Sequence, residues 1–231
     1  MAEATNSGPE PPVAFPSAVL EIPDVQAFLG DAAEALVEAG GGAARGFLWA
    51  ITRVGPGEVR NWTAGSLKGR QVDGLQSSFA DGPARAAVAS AEFVHIPDAA
   101  ADRRWPGYSA AIAGQGMGSV LSVPMIDEWE INAALTLYAP DPHAFTSDDV
   151  IRALACARRL SKVCHLLLEL ARKARTANTL PLSPLTELAV ESLIREYGLT
   201  EESAIQYLQA VARDLAFMSP TAPDAGTTSA A

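Results

Sequence analysis

Residues 119–139 read SVLSVPMIDEWEINAALTLYA, two apolar segments separated by four residues. The segments span Ser119–Ile126 and Ile131–Ala139, and each has a length and composition typical of a β-strand. The connection, DEWE, is short enough for the two strands to be antiparallel neighbours. The sequence therefore predicts an antiparallel hairpin in the middle of the fold.

The segments before this hairpin alternate between helical and strand patterns. Apolar residues recur at helical spacing from Asp24 to Ala39, and the three glycines that follow end the pattern. The further predicted elements are strands at 44–54 and 58–65, a polar linker, a helix at 83–90, a short strand at 92–96, a loop at 97–108 and a small helix at 109–113. This order favours the α+β class, an antiparallel sheet flanked by helices.

A long amphipathic helix is predicted to begin near Ser147, whose side chain can cap it. Its apolar residues alternate spacings of three and four, which is typical of a coiled-coil-like helix that packs lengthwise against a second copy. The alternative, for the first three turns, is that this stripe covers the sheet of its own chain. The predicted dimer seam comprises Leu160, Val163, Leu167, Leu170 and Ala174.

The C-terminal part of the chain predicts a small all-α helical hairpin. Ser183 is a suitable cap for one helix, which ends at Gly198, and Thr200 is a suitable cap for a second. The two ends of the chain are rich in Pro, Ser and other small residues. Such composition cannot offset the entropy cost of ordering, so both ends are predicted to be disordered tails.

Charge and apolar content exclude several classes of protein. A net charge of −10 gives no global attraction to nucleic acid, although a local basic face remains compatible with it. No apolar run reaches the roughly 18 residues that a membrane span needs. The first residues lack the bases and apolar core of a signal peptide, so we expect a cytoplasmic protein without a membrane partner. Cys156 and Cys164 lie eight residues apart in a helical pattern, and we expect reduced thiols.

The middle of the chain resembles a GAF domain, the small-ligand sensor module. The similar segments are ADGPARAAVASAEFVHIPDAAADRRWPGYSAAIAGQGMGSVLSVPM, residues 80–125, and INAALTLYAPDPHAFTSDD, residues 131–149. They contain a Gly-Pro helix start, a D-x-R-W-P loop, an S-V-L-S-V-P strand and a strand ending in L-Y before F-T-x-x-D. The resemblance implies a GAF-type antiparallel sheet with a ligand cavity between the sheet and residues 71–117.

Residues 187–215, ELAVESLIREYGLTEESAIQYLQAVARDL, resemble a shortened ANTAR domain, the helical RNA-binding antitermination module. Val190 and Glu191 stand where a Lys-Gly pair is usual, and Gln209 and Ala210 stand where an Arg pair is usual. The usual third helix is replaced by a tail. These departures remove positive charge where phosphate contacts supply most of the affinity for RNA.

Together the two resemblances imply a signal-sensing regulatory protein, a homodimer in which a GAF sensor is coupled to RNA binding of the transcription-antitermination type. The alternative is a GAF dimerisation or small-ligand-binding protein whose ANTAR-like helices contact proteins and not RNA. A partner signalling protein is an alternative input to the sensor. The implied domains are a tail at 1–23, the GAF sensor at 24–165, a linker helix at 166–182, the ANTAR-like region at 183–218 and a tail at 219–231.

Two sets of candidate site residues follow from these resemblances. The expected GAF cavity would be lined by Trp49, Phe79, Trp105, Tyr108, Met117 and Leu121, apolar and aromatic walls with few polar groups. The alternative is that these side chains only pack the core. The RNA-binding candidates are the basic residues Arg158, Lys162, Arg172, Lys173, Arg195 and Arg213. Such a basic face is otherwise solvated or pairs with acids of a neighbouring subunit.

Catalysis is not predicted. His95, His143 and His165 fall on different predicted elements, and no acid lies at a triad or metal-ligand spacing from them. We therefore expect no enzyme, no metal site and no cofactor beyond an unknown small ligand. Haem held by His95 is an alternative, since a single histidine can bind haem iron, against a histidine that simply points outward from its strand.

Overall fold

The computed structural model describes residues 23–55, 57–126 and 132–177. The chain divides into two units, Met1–Asn178 and Thr179–Ala231, and the second lies outside the described residues together with the predicted helical hairpin at 183–218. The described elements in chain order are α1 (Pro23–Ala39), β1 (Leu48–Gly55), β2 (Glu58–Ala64), α2 (Leu67–Gly74), a 3-10 turn (Leu75–Ser78), α3 (Pro83–Ser90), β3 (Val94–Ile96), α4 (Pro106–Gly114), β4 (Ser119–Ile126), β5 (Asn132–Ala139) and α5 (Ser147–Ala177).

The five strands form one antiparallel sheet in the order β2-β1-β5-β4-β3. The predicted hairpin at 119–139 is confirmed, because β4 pairs with β5 from Ser119 opposite Ala139 to Ile126 opposite Asn132. Seven of the eight residues of β5 are buried, as expected for a central strand that is covered on both faces. The α+β class and the antiparallel sheet flanked by helices are therefore confirmed.

The two faces of the sheet are covered by different helices. Directly paired residues share a face, and Trp49 of β1 pairs with Leu137 of β5, which pairs with Leu121 of β4. This face is covered by α1 and α5, which also contact each other, and we call it the α1–α5 face. The opposite face, which carries Ala50 and Tyr138, packs against α2, α3 and α4, and we call it the α2–α4 face.

A β-bulge interrupts the pairing of β1 with β2. Ile51 pairs with Thr63, but the next residue, Thr52, pairs with Asn61, so Trp62 is the extra residue on β2. In a regular strand, residues 61 and 63 would point to the same face. The bulge instead places Asn61 on the α2–α4 face, beside Thr52, which is the re-aiming of a side chain that bulges produce.

The prediction of a polar linker between the first hairpin and the helix at 83–90 was wrong, because this segment contains α2 and the 3-10 turn. Ser66 caps α2 by accepting a hydrogen bond from the amide of Gly69 at 2.9 Å. The buried positions of α2 are Gly69, Val72 and Asp73, of which Val72 alone is a large apolar residue. The segment therefore lacks the apolar periodicity that identifies a helix from sequence.

The start of α5 is fixed by Thr146 and not by Ser147, the predicted cap. The Thr146 amide and hydroxyl both donate to an Asp149 oxygen at 2.8 Å, and the Asp149 amide points back at the Thr146 hydroxyl at 3.3 Å. This reciprocal pair is a capping box built with Asp. Arg45 forms an ion pair with the same carboxylate at 3.0 Å, which ties α5 to the turn before β1.

Two of the five predicted dimer-seam residues are unavailable for a second copy. Leu160 and Val163 are buried within the chain, with exposures of 0% and 4%, because α5 packs against β4 and α1. The side chains of Leu167, Leu170 and Ala174 lie outside the described residues, although the backbone is helical through Ala177. The alternative for the first turns of α5, a stripe that covers its own sheet, is therefore the correct one.

Candidate ligand-binding site

The α2–α4 face carries an apolar cluster that includes four of the six predicted cavity residues. Tyr108 and Met117 are buried in it, and Phe79 and Trp105 pack against it while remaining partly exposed. The other buried members are Ala50, Val72, Ile96, Ala99, Ile112, Val120 and Tyr138. The structure thus brings these four residues to one face of the sheet.

The remaining two predicted cavity residues, Trp49 and Leu121, lie on the α1–α5 face. The Trp49 indole donates to Glu34 of α1 at 2.5 Å, and Leu121 is fully buried. The reason is strand alternation: Trp49 precedes Ala50, and Leu121 follows Val120, so each points away from the cluster. The expectation that all six residues line one cavity is corrected for these two positions.

A buried carboxylate, Asp73 at the end of α2, extends the cluster into a polar network. The residue is 1% exposed, and each of its oxygens accepts two hydrogen bonds. Oδ1 accepts from the Tyr138 hydroxyl at 2.8 Å and the Gln76 amide at 2.9 Å. Oδ2 accepts from the Thr52 hydroxyl at 2.5 Å and the Asn61 amide at 2.9 Å. Four donors offset the desolvation of a charge that would otherwise be costly to bury.

The donors of this network come from four different elements. Thr52 lies on β1, Tyr138 lies on β5, and the bulge of β2 supplies Asn61. Gln76, on the 3-10 turn, also donates to the Tyr138 hydroxyl at 3.0 Å and accepts from the Ala84 amide at 2.9 Å. That last hydrogen bond satisfies a free amide in the first turn of α3, which has no side-chain cap of its own.

Burial, and after it the Asp73 charge, raises the pKa of Tyr138 well above its usual value. The phenol therefore keeps its proton and donates it to the carboxylate. A hydroxyl, a phenol and two amides surround the charge, and all four donors are neutral.

Tyr108 joins this layer from α4. Burial raises the pKa of the Tyr108 phenol well above the ordinary value; its hydrogen bond with the Tyr138 phenol acts against this shift and the Asp73 charge adds to it. Two other buried polar atoms near this layer, the Ser109 hydroxyl and the Asn61 amide oxygen, make no hydrogen bond within the part of the chain that the structure describes.

The aromatic rings of this layer contact one another and an arginine. The Phe79 ring meets the Tyr108 ring edge-on, with centroids 6.0 Å apart. Gly107 makes that approach possible, since a Cβ there would lie 3.1 Å from the Phe79 ring. The Arg104 guanidinium lies over the Trp105 ring, 4.8 Å from its centroid.

The D-x-R-W-P loop is held by Asp102. Its carboxylate accepts from the Arg104 side chain, at 2.9 Å from Nε, and from the amides of Arg104 and Trp105. Burial would raise the pKa of Asp102, but the Arg104 side chain and these two amides together outweigh it and lower that pKa. Arg104 also donates to the His95 carbonyl at 2.7 Å. The loop is thus a rigid connection between β3 and α4.

His95 does not point freely outward from its strand. It is half-buried on the edge strand β3, its ring lies 6.0 Å from that of Phe145, and its buried Nε2 has no hydrogen-bonding partner among the described residues. Burial, then the charge of Arg104 and that of His143, lowers the pKa of His95. Among the described residues, no three His, Cys, Asp or Glu side chains form a cluster that would hold a metal ion.

The residues predicted for RNA binding are only partly described. Arg158 and Lys162 are exposed on α5, one helical turn apart. The side chains of Arg172 and Lys173, and the residues Arg195 and Arg213, lie outside the described part of the chain.

Both cysteines lie on α5, and neither is in a disulfide within the part of the chain that the structure describes. Burial raises the pKa of Cys156 to about 11, and Cys164 is fully buried.

The polar network was not predicted from the sequence. Asp73 and Gln76 lie in the segment predicted as a polar linker, and Thr52 and Asn61 lie in segments that the sequence predicts only as strands. One signal was present: in β5, Thr136 and Tyr138 alternate with Leu135 and Leu137, which indicates one polar and one apolar face. The sequence alone does not identify Asp73 as the hydrogen-bonding partner of Tyr138, because this requires knowing the position of α2 and of the bulge.

The described residues form a five-stranded antiparallel sheet with two helices on one face and a polar and aromatic layer on the other. Residues 23–155, more than half of the chain, match the GAF domain family, and the chain belongs to that family. Nothing in the comparisons indicates the predicted ANTAR-like region.

Solved structures that are similar to this chain include the following two. One is a domain described as part of a putative two-component sensor histidine kinase protein from Sinorhizobium meliloti 1021, with 21% identity, a TM-score of 0.44, and coverage of 61% of this chain and 93% of that one. The other is a type II free methionine-R-sulfoxide reductase from Thermoplasma acidophilum, with 14% identity, a TM-score of 0.43, and coverage of 63% and 95%. No curated protein matches. Within the described residues, no helix combines the length and the apolar character that a membrane span requires.

Proposed function

We propose that this GAF sensor domain binds a small molecule on its α2–α4 face and that the protein is a cytoplasmic, non-catalytic regulator. The observation that carries the proposal is the polar and aromatic layer of this face, in which the buried Tyr108 lies beside the Tyr138 phenol of the Asp73 network. The partly exposed rings of Phe79 and Trp105 pack against the same cluster. Apolar and aromatic walls with a few polar groups are typical of small-molecule sites.

Binding of a ligand at the α2–α4 face can affect α5 through the sheet that lies between them. The network reaches β5 through Tyr138, and α5 packs against β4 and β5 from the other side of the sheet. We propose that α5 conveys the change to the C-terminal region, and that the protein acts as a homodimer through Leu167, Leu170 and Ala174. Sedimentation as a single subunit at every protein concentration would overturn the dimer.

For the output we propose RNA binding of the antitermination type by the ANTAR-like region and α5. Exposed Arg158 and Lys162 support this proposal, because a basic helix surface supplies phosphate contacts. The alternative output is contact with a protein by the same region.

Chemistry by a cysteine nucleophile is not proposed. The thiolate is the reactive form of cysteine, and burial raises the pKa of Cys156 to about 11.

The sensor proposal is tested by the indole N–H signals of the four tryptophans in an NMR spectrum. A screen of a small-molecule library is expected to find compounds that move the Trp105 signal and leave that of Trp49 unchanged, since Trp49 lies on the opposite face. If no compound shifts Trp105, or if Trp49 shifts equally, binding at the α2–α4 face is excluded.

The RNA proposal is tested by gel shift with a two-hairpin RNA leader at two salt concentrations. Replacement of both Arg158 and Lys162 by Gln is expected to weaken binding and to reduce the salt slope by about 1 for each phosphate that is no longer neutralised. The matched control replaces Lys68 and Arg70 of α2, which are equally exposed. No shift at low salt, or equal weakening in both variants, would exclude this output.

A further inference from the structure

One row of side chains along α5 is exposed to solvent. Ile151, Ala155, Arg158 and Lys162 follow one another at spacings of four, three and four residues, so they lie on one side of the helix. All four are exposed, and Ile151, at 64%, is one of three exposed large apolar residues in the part of the chain that the structure describes. We call these four residues the outer row of α5.

The basic end of the outer row has no acidic partner. Residues 150–168 contain four bases, Arg152, Arg158, Arg159 and Lys162, and no Asp or Glu. Within the described residues, neither Arg158 nor Lys162 forms an ion pair or a side-chain hydrogen bond. Neighbouring bases repel one another, and an acidic segment beside them relieves that repulsion. The outer row, apolar at one end and cationic at the other, therefore fits a partner that is both apolar and acidic.

The residues that precede α1 have this complementary composition. Residues 1–22, which lie outside the described residues, contain three acids, Glu3, Glu10 and Glu21, and no Lys or Arg. The last ten of them, VAFPSAVLEI, include five large apolar side chains. On its own such a segment does not offset the entropy cost of ordering, whereas contact with an apolar and basic surface can offset it.

The packing of α1 on α5 places the end of this segment beside the outer row. A Cβ at Gly40 would lie 3.5 Å from the Arg152 side chain, and earlier on α1 the Ala32 carbonyl accepts from the Cys156 thiol at 3.9 Å. The two helices are therefore antiparallel. The stretch from Ala32 back to Pro23 spans about 14 Å, which leads along α5 from Cys156 to about residue 165. The preceding segment thus starts next to the basic end of the outer row.

The dimensions of the segment and of the outer row also match. Ile151 and Lys162 are separated by about 17 Å along the helix. Phe15 and Glu21 are separated by about 19 Å in an extended or a polyproline II conformation. These conformations repeat every two and every three residues respectively, so residues six apart point to the same side in both. Phe15 can therefore contact Ile151 while Glu21 reaches Lys162, whose long side chain covers the small difference in length.

We propose that residues 15–21 of this chain dock on the outer row of α5, with Phe15 on Ile151 and the Glu21 carboxylate beside Arg158 and Lys162. This inference does not depend on the proposed RNA output, but an RNA that used the same two bases would compete with the segment.

The experiment attaches a nitroxide spin label to the full chain at Ser17→Cys and records the backbone amide signals of the 15N-labelled protein. The native thiols react slowly with the label, since Cys164 is fully buried and burial raises the pKa of Cys156 to about 11. The amide signals of the outer row are expected to broaden beyond detection. Those of Lys68 and Arg70 on α2, at the opposite face of the sheet, are expected to keep their intensity.

Charge reversals assign the contact to residues. Glu21→Lys, outside the described fold, is expected to abolish the broadening, whereas the matched control Glu3→Lys makes the same change of charge and is expected to leave it. Arg158→Glu with Lys162→Glu is expected to abolish the broadening as well, and adding Glu21→Lys to that pair is expected to restore it. If the pair on α5 does not fold, the comparison of Glu21→Lys with Glu3→Lys decides the inference.

The outcomes are distinct. An outer row that keeps its signals, or that broadens equally in Glu21→Lys and Glu3→Lys, overturns the docking. Equal broadening on α2 and on the outer row overturns it too, because the contact is then non-specific. A final sample mixes spin-labelled chains without 15N with 15N chains without the label. Broadening of the outer row in that mixture means that a second copy supplies the segment, which overturns docking within one chain.

Discussion

The two faces of one sheet differ in what their side chains do. In β5, Leu135 and Leu137 face α1 and α5, whereas Thr136 and Tyr138 face α2–α4. On the first face the polar contact described is the bond from Trp49 to Glu34. On the second face a buried carboxylate organises hydroxyl and amide groups from four elements. Strand alternation thus places apolar packing on one face of the sheet and a hydrogen-bonded polar network on the other.

The largest effect is expected from removing the centre of the polar face. Asp73→Ala removes the acceptor of four hydrogen bonds, three of them from buried residues, and is expected to lower the free energy of unfolding by on the order of 3–5 kcal/mol. Urea unfolding followed by circular dichroism measures it. Asp81→Ala, at an exposed position just before α3, is the matched control and is expected to change stability by less than about 0.5 kcal/mol. Similar destabilisation of both variants would contradict the role of the network.

A somewhat smaller effect is expected on the apolar face. Leu121→Ala leaves a cavity beneath α5 and is expected to cost about 3 kcal/mol in the free energy of unfolding. The control is Leu67→Ala, since Leu67 is 73% exposed and buries little. Urea unfolding of both variants measures these costs. If Leu121→Ala destabilised the chain no more than the control, the assignment of faces would be contradicted.

The polar contact of the apolar face sets a third test. Glu34→Ala leaves the buried Trp49 indole N–H without its acceptor and is expected to cost about 1.5 kcal/mol. Glu38→Ala, one turn later on α1 and exposed, is the matched control. Thermal unfolding of the two variants compares them directly, and equal melting temperatures would show that the Glu34 hydrogen bond contributes nothing.

The smallest effect concerns pH and His95, which pairs with Leu121 at the edge of the α1–α5 face. Burial, Arg104 and His143 lower the pKa of His95 in the folded chain, so the unfolded chain binds the proton first. Stability is therefore expected to fall as pH drops below about 7 and to level off below the folded pKa. His95→Gln should flatten this dependence between about pH 7 and pH 5. An unchanged slope in urea unfolding would contradict it.

Sequence patterns predicted the apolar half of this comparison well. Regular apolar spacing predicted α1, β4, β5 and α3 closely, because burial of one face of an element requires apolar residues at periodic positions in the sequence. The same reasoning failed for α2, whose buried positions are Gly69, Val72 and Asp73. A helix that is held by hydrogen bonds to one carboxylate shows no such periodic pattern of apolar residues. The hydrogen-bonding partners of that carboxylate are also distant from it in sequence.

The candidate site was predicted in outline only. Four aromatic and apolar residues of the expected cavity share one face, but Trp49 and Leu121 do not, because a difference of one position along a strand reverses the direction of a side chain. The seam residues Leu160 and Val163 fit a dimer and a sheet equally well in sequence, and the structure shows that they are buried on α5 against their own sheet.

The extra residue in β2 has a consequence for how this protein tolerates change in length. Deletion of one strand residue between Glu58 and Arg60 would let regular pairing continue from the turn, with Asn61 opposite Arg53 and turned away from Asp73. Deletion of Trp62 would also restore regular pairing, but it would leave Asn61 opposite Thr52. Homologous chains that share the carboxylate are therefore expected to lose a residue at position 62 more readily than at the positions between the turn and Asn61.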